Sequence, residues 1–406
     1  MKKLFVVIIF SICLNGIISA QETLVKPGVV ITKGNYKKYI SELKSLLPPG
    51  PYSHIIDNSV KHGWMTIPVI EKKKYNMPKG FAKATAKNKG KFKVGKGNKI
   101  IGKEPWTGGL PFPEPETGPE LGWNVVRRRE CNREDFQIYF KWLLITKAGI
   151  TERTFENYFF AKSYTGRTDK KPIPEIIGNN GEIFWKEAMV VINPFDVKGF
   201  SMLRIHYEDL YRKDDVFSYI PALRRVRRLT GSDVTDPLLG SDGCYDNFEG
   251  WHQKITPEME FKIVDERNLI VPTYYTKKPP EGYVKKNCLQ VDWEIRPHWI
   301  LNIDVNDPDY AFTRRVFYVE KEDGSSSLAY GECFDQKGRL SRTNYTVILR
   351  YYDPATFMRN YWGAMYHDAL TGHTTLIPTH PVDTNLGETL ISLDTFTVRG
   401  LLKKAR

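Results

Sequence analysis

A chain of 406 residues, 41% hydrophobic and 13% aromatic, has ample material for one large core or two smaller ones and is too rich in apolar groups for a disordered polymer. Its formal charge of +13 points toward anionic surfaces or acidic partners, and its 5 cysteines, without any CxxC pair, argue against a cysteine-built metal site. Beyond the first 20 residues no run approaches the roughly eighteen consecutive apolar residues of a membrane-spanning helix.

In chain order, Lys2 and Lys3 precede the apolar runs Leu4 to Ile12 and Leu14 to Ala20, which close on Ile18-Ser19-Ala20. A basic start, a short apolar stretch and a small last residue predict a cleaved secretory signal over residues 1–20, and hence a soluble exported protein with a charge of about +11. Cys13 follows Ile12, where a lipoprotein signal needs a small residue, so lipidation is not expected. In an oxidising compartment Cys131, Cys244, Cys288 and Cys333 are then available for one or two disulfides, with three connectivities if all four pair.

Residues 21–125 read as an irregular N-terminal region. Tyr36, Tyr39, Ile40, Leu43 and Leu47 fall at helical spacing behind Asn35, and Pro48-Pro49 stops the helix. From Glu71 to Lys103 there are 12 lysines against one acid, the composition of a solvated, mobile loop or of a docking surface. The proline- and glycine-rich stretch from Pro105 to Pro115, continuing to Gly118, Pro119, Gly122 and Trp123, predicts an extended strap and a boundary near residue 125.

Residues 126–406 read as β structure. Phe136 to Thr146 and Thr154 to Ser163 flank a turn at Lys147-Ala148-Gly149, and further runs follow at Trp185 to Ile192, Gly199 to Tyr207 and Val216 to Tyr219. Met259, Phe261 and Ile263 alternate with Glu260 and Lys262, as Val291, Trp293 and Ile295 do with Asp292, Glu294 and Arg296, which predicts one apolar and one solvated face. Arg315 to Glu320, Ser327 to Phe334, Arg339 to Tyr352 and Tyr361 to His367 complete a meander with turns at Asp323-Gly324, Lys337-Gly338 and Thr371-Gly372. The fold class is mainly β: a large curved antiparallel sheet with a few covering helices, Asn35 to Leu47 and Tyr245 to His252 among them. A closed sandwich is the alternative. A curved sheet with so small a cover leaves a cavity for an apolar ligand.

Arg224, Arg225, Arg227 and Arg228 crowd five positions. Taken as a strand they charge both faces, so one pair should be covered and should meet an anionic headgroup at the cavity mouth, together with Asp242, or else acids of the same fold such as Asp233, Asp236 or Asp242. Phe217, Tyr219, Trp251, Trp293, Trp299 and Tyr351 are the candidate apolar lining, with plain core as the competing reading. No G-x-S-x-G, HExxH, phosphate loop or dinucleotide-binding turn is present, so neither a catalytic site nor a cofactor is expected. His367, His373 and His380 match no common metal spacing and read as solvated or structural groups. Asp292 and Glu294 sit on the polar face of their strand, and a glycosidase-like acid pair would have to come from distant strands.

The order Val197-Lys-Gly199-Phe-Ser-Met-Leu203, Asp214-Asp215-Val-Phe217-Ser-Tyr219-Ile-Pro221-Ala-Leu-Arg224-Arg225-Val226-Arg227-Arg228 and Gly240-Ser241-Asp242-Gly243, then Asp246 and Phe248, resembles exported outer-membrane lipoprotein-sorting-like proteins. Within that group it is similar to a Gram-negative envelope family whose domain is of unknown function. Gly109-Leu-Pro111-Phe112-Pro113 with Trp123-Asn124 resembles that family's N-terminal signature. Arg314-Arg315-Val-Phe317-Tyr318 and Phe334-Asp335-Gln-Lys-Gly338-Arg-Leu340-Ser-Arg342 resemble its C-terminal hairpins.

The resemblance covers roughly residues 105 to 406 and implies a LolA/LolB-like incomplete barrel and traffic beside exporters of the resistance-nodulation-division type. The reading that follows is a periplasmic protein, with outer-membrane association left open. It binds a lipid, lipoprotein or other hydrophobic compound, passes it between envelope components, meets an exporter or outer-membrane partner, touches membranes transiently and does not bind nucleic acid. An envelope adaptor that carries nothing is the competing class, and a periplasmic hydrolase the third.

Overall fold

The computed structural model describes residues 23–404 apart from 74–76, 129–133, 210–211, 230–234, 245, 248–250, 252–254, 275–281, 323, 325, 350–359 and 386–390. The predicted signal, Cys131, Asp233, Tyr351 and most of the expected helix at Tyr245 to His252 lie outside the described residues, as does the side chain of His380.

Before the large sheet come β1 (Val30–Ile31), α1 (Ile40–Leu46), α2 (Pro49–Tyr52), β2 (Ile67–Pro68), α3 (Lys79–Lys87), β3 (Phe92–Val94), β4 (Ile100–Gly102) and α4 (Gly118–Arg127). The helix expected behind Asn35 forms as a 3-10 turn over Tyr36–Tyr39 that runs into α1, and it buries Tyr39, Leu43 and Leu46. Pro48 ends it, and Pro49 then opens α2, where a proline at the first position loses no helical hydrogen bond. A π-helical stretch over Ser53–Val60 continues it. The lysine-rich run is not the loop its composition predicts. Phe81 anchors α3, Phe92 and Val94 pair across to Ile100 and Gly102, and the lysines take the outer positions. The strap also ends earlier than expected, because Thr117 and Glu120 form a capping box that starts α4.

The strands that follow are β5 (Asp135–Ile145), β6 (Thr151–Ser163), β7 (Ile183–Asn193), β8 (Ser201–Tyr207), β9 (Asp215–Ile220), β10 (Arg225–Leu229), β11 (Met259–Tyr274), β12 (Val284–Lys285), β13 (Cys288–Leu289), β14 (Asp292–Val305), β15 (Phe312–Glu320), β16 (Leu328–Asp335), β17 (Leu340–Leu349), β18 (Asn360–Asp368) and β19 (Thr374–Asn385), with α5 (Val398–Lys404) last. Thirteen of them form one sheet in the order β10-β9-β8-β7-β6-β5-β19-β18-β17-β11-β14-β15-β16. The sheet is mainly antiparallel and curved, and it doubles back: β16 pairs with β17 over Tyr330–Phe334, and the end of β11 meets the same strand in parallel at Ile348 and Leu349. Among the described residues β10 remains an open edge. Gly149, Gly338 and Gly372 sit in the predicted reversals with φ of +77°, +73° and +80°, where a side chain would strain the turn.

The apolar faces of this sheet are covered by the chain itself. Twelve buried side chains between Val25 and Val69, Leu43, Ile55 and Ile56 among them, pack with Leu269, Trp293, Tyr330, Tyr345 and Met365. Phe112 of the strap and Leu121, Trp123 and Val125 of α4 cover Phe261, Leu301 and Phe317. Leu238 and Leu239 lie against β5 to β8, and Ile391, Phe396 and Val398 against Phe160 and Leu203. The boundary expected near residue 125 therefore falls inside α4, and both of its sides share one core.

Polar groups are buried with partners. Glu294 and Arg296, expected on a solvated face, are 0% and 2% exposed, because the segment at Lys73 covers them. Arg296 joins Glu294 to Glu320, donating to the latter at 2.8 Å. Asp246 holds Arg315 and Tyr310, and Asp135 holds Lys162 and Arg167, all buried. Cys244, Cys288 and Cys333 are buried free thiols, so the expected pairing does not occur among the described cysteines. Cys288 is enclosed beside Ser59, and Cys333 belongs to the cluster under α4. Burial pushes the Cys288 thiol up to about 11.

Candidate functional site

A cleft of about 810 Å³ lies outside the sheet. That lies within the roughly 300–1,000 Å³ of small-ligand sites. Two further pockets, of about 20 and 30 Å³, have room for little more than a water.

Four segments build the cleft. The β3–β4 hairpin supplies Phe92, Lys99 and Ile100, and its turn is pinned by Asn98, whose Nδ2 donates to the carbonyls of Thr256 (2.9 Å) and Met259 (2.7 Å). The strap supplies Lys103 to Thr107. Its bend at Gly108-Gly109 needs glycine, since a Cβ on Gly109 would lie 2.3 Å from the Thr85 nitrogen. Asn88 donates to the carbonyls of Gly108 and Leu110, both at 2.9 Å, so α3 of the lysine-rich run fixes the strap. From α4 come Trp123 and Arg127, with Trp123 Nε1 donating to the Asn98 carbonyl at 2.8 Å. Loop residues Thr165, Pro174, Glu175, Asn180, Gly181, Glu208 and Asp209 close the far side.

At the centre of the wall the Arg127 guanidinium lies 4.2 Å from the ring centroid of Trp106 and 4.3 Å from that of Phe184, and it holds Glu208 through both terminal nitrogens at 3.2 and 2.6 Å. Its Nε is buried without a hydrogen-bond partner among the described residues. Lys99, Lys103 and Arg127 face Glu104, Glu175, Glu208 and Asp209, so charge is nearly balanced around the apolar surfaces of Phe92, Ile100, Trp106 and Trp123. Such a lining suits a ligand with an apolar body and polar ends.

A family profile described as "Protein of unknown function (DUF1329)" matches residues 30–399. The chain belongs to that family. Among curated proteins the DUF1329 chain has no match. Of solved structures, it is similar to a candidate outer membrane lipoprotein-sorting protein domain from Vibrio parahaemolyticus (17% identity, 66% of this chain and 91% of that one, TM-score 0.47). It is likewise similar to a DUF1329 protein from Desulfovibrio piger (17%, 66% and 92%, 0.47) and to a LolA superfamily protein from Nitrosomonas europaea (12%, 70% and 98%, 0.43).

The site residues read from the DUF1329 sequence are dispersed. Arg224, Arg225, Arg227 and Arg228 are all exposed, because β10 is the outermost strand of the sheet and no described strand pairs beyond it to cover a pair. Arg228 pairs with Asp215. Asp242 accepts from Thr375 on β19, six ladder steps from β10, roughly 29 Å along the sheet at the usual strand spacing. It also meets His373 Nδ1 at 2.6 Å, and His373 Nε2 lies 3.2 Å from Glu152, so this histidine ties a loop to two strands.

The aromatic candidates fall in three separate clusters, which is the core reading of them. Trp293 is covered by the N-terminal segment, Trp251 and Trp299 belong under α4, and Phe217 and Tyr219 pack toward α5. The sequence hides the cleft residues because Phe92 and Ile100 are diluted among lysines and the aromatics of the strap are separated by turn-formers. Phe92, Ile100, Trp106 and Trp123 at intervals inside so polar a region were the available signal.

His54 and His367 form a second, smaller group, with ring centroids 4.8 Å apart at the seam between the N-terminal segment and β18. Burial pushes His367 down to about 4, and burial together with His367 holds His54 well below the usual histidine range. No set of three metal-ligating side chains occurs among the described residues.

Proposed function

We propose that this DUF1329 protein is a periplasmic carrier of a lipid-like, amphipathic compound, and that the cargo sits in the cleft between the β3–β4 hairpin, the strap and α4. The observation that carries this reading is the 810 Å³ opening lined by Phe92, Ile100, Trp106 and Trp123 around Arg127. The sheet's covered face is a poorer candidate on energetic grounds. Displacing the 12 buried side chains of residues 25–69 at about 1.5–3 kcal/mol each would cost roughly 18–36 kcal/mol. A long acyl chain brings only on the order of 10 kcal/mol, at about 0.8 kcal/mol per methylene.

In the cleft the apolar part of the cargo lies on the aromatic rings, and its polar end reaches Arg127 and the two lysines, where Glu208 is the group to be exchanged for a ligand anion. Delivery then follows from a receiver that binds the same compound better, an exporter or outer-membrane component being the partner class. The test is organic extraction of the purified protein followed by mass spectrometry. Stoichiometric lipid, lost in a Thr107→Trp variant whose ring obstructs the cleft at its rim, supports the carrier. Protein that is free of lipid and takes none up from vesicles would leave an envelope adaptor, the reading favoured by the covered sheet.

A further inference from the structure

The arginine stretch lies apart from the cleft and needs its own account. β9 and β10 form the last hairpin of the large sheet, with Arg224 in a left-handed turn at φ +49° between them. The register sets Arg228 opposite Phe217 and Val226 opposite Tyr219, on the face where α5 packs, while Arg225 and Arg227, opposite Ile220 and Ser218, point the other way. Between Asp215 and Leu229 the only acid is Asp215, already paired with Arg228. At the turn Ala222 is exposed and Leu223 is 47% exposed, flanked at once by guanidinium groups. The last turn of α5 adds Lys403 and Lys404 on the adjoining strands.

A charged outer strand by itself is the ordinary guard against edge-to-edge pairing. That role calls for charge along the strand and gives no reason to present a leucine at the tip. An apolar tip ringed by arginines has the chemistry of a bilayer boundary: the guanidiniums meet headgroup phosphates in fork geometry and the leucine enters the acyl margin. We infer that the hairpin 220–228 docks this protein on a membrane surface rich in anionic phospholipid. The inference is independent of what the cleft holds.

The experiment is flotation of the full chain with vesicles of phosphatidylcholine alone and of phosphatidylcholine mixed with phosphatidylglycerol. Binding is expected to the mixed vesicles only, to fall as salt is raised, and to weaken about tenfold or more in R225E/R227E. Leu223→Ser should lower it by a smaller factor. Thermal unfolding of each variant, expected to match the parent because these side chains are exposed, separates lost docking from lost fold. Equal binding to both vesicle types, or anionic binding that R225E/R227E leaves unchanged, overturns the inference. Failure to bind any vesicle overturns it too and assigns the arginines to an acidic protein partner.

Discussion

The covered face of the sheet and the open cleft are both lined by tryptophan, phenylalanine and isoleucine, yet only one of them borders open space. Trp293 is 0% exposed beneath the N-terminal segment, whereas half-buried Phe92 and Ile100 border an 810 Å³ space beside Arg127, with Trp106 and Trp123, 8% and 1% exposed, packed into its wall. The difference teaches that apolar composition marks where burial happens, not what does the burying. In the first region the chain supplies its own filling. In the second, glycine bends and the hydrogen bonds from Asn88 hold the strap along the border of the open space.

The comparison can be broken most severely at the covered face. Trp293→Ala removes a ring that no ligand can replace and should lower unfolding free energy by about 3–5 kcal/mol in a denaturant titration, with the extractable lipid unchanged. A ligand-dependent rescue of that variant would show that the two regions communicate.

The seam itself should respond to acid. His54 and His367 meet there with Tyr345, Asp368, Arg342 and His373 as neighbours. Above pH 6.5 both histidines are neutral, folded or unfolded. Between 6.5 and about 4 the unfolded chain takes up a proton that folded His367 does not, so stability falls with pH by up to about 3 kcal/mol from that residue. Buried Glu332, which accepts from Gly50 N at 2.7 Å and is raised by burial, works in the opposite sense, binding its proton earlier in the folded state. Unfolding curves across this window should lose part of their slope in His367→Gln.

Gly50→Ala is a finer cut at the same seam. Its Cβ would lie 2.9 Å from Thr343 Cβ and 3.0 Å from Glu332 Oε1, and the expected cost is about 1–3 kcal/mol by thermal or chemical unfolding. Smallest of all in stability is Thr107→Trp at the exposed rim of the cleft, within about 0.5 kcal/mol of the parent, although ligand loading should disappear. Large changes in stability without loss of ligand on one side, and the reverse on the other, would sharpen the contrast.

Strands with regular alternation were legible from the residues alone: Met259, Phe261 and Ile263 predicted one oily face of β11, and glycine placed the reversals at Gly149, Gly338 and Gly372. β19 was not, since Pro378, Pro381 and a run of threonines hide a strand whose identity comes from its neighbours β5 and β18. Alternation also misjudged Glu294, because period two says which residues share a face but not whether another segment lies over it. The cleft escaped for a related reason. It is assembled from residues 92–107, 123–127, 165–181 and 208–209, and only tertiary structure brings those four stretches together.

The hydrogen bond from Gly50 to Glu332 spans 282 positions. Residues 24–70 are synthesised first, but the strands that shelter them are among the last to appear, so the largest apolar cluster stays incomplete until nearly the whole polypeptide is available. Until then the early helices carry leucines and isoleucines whose shelter has not yet been made.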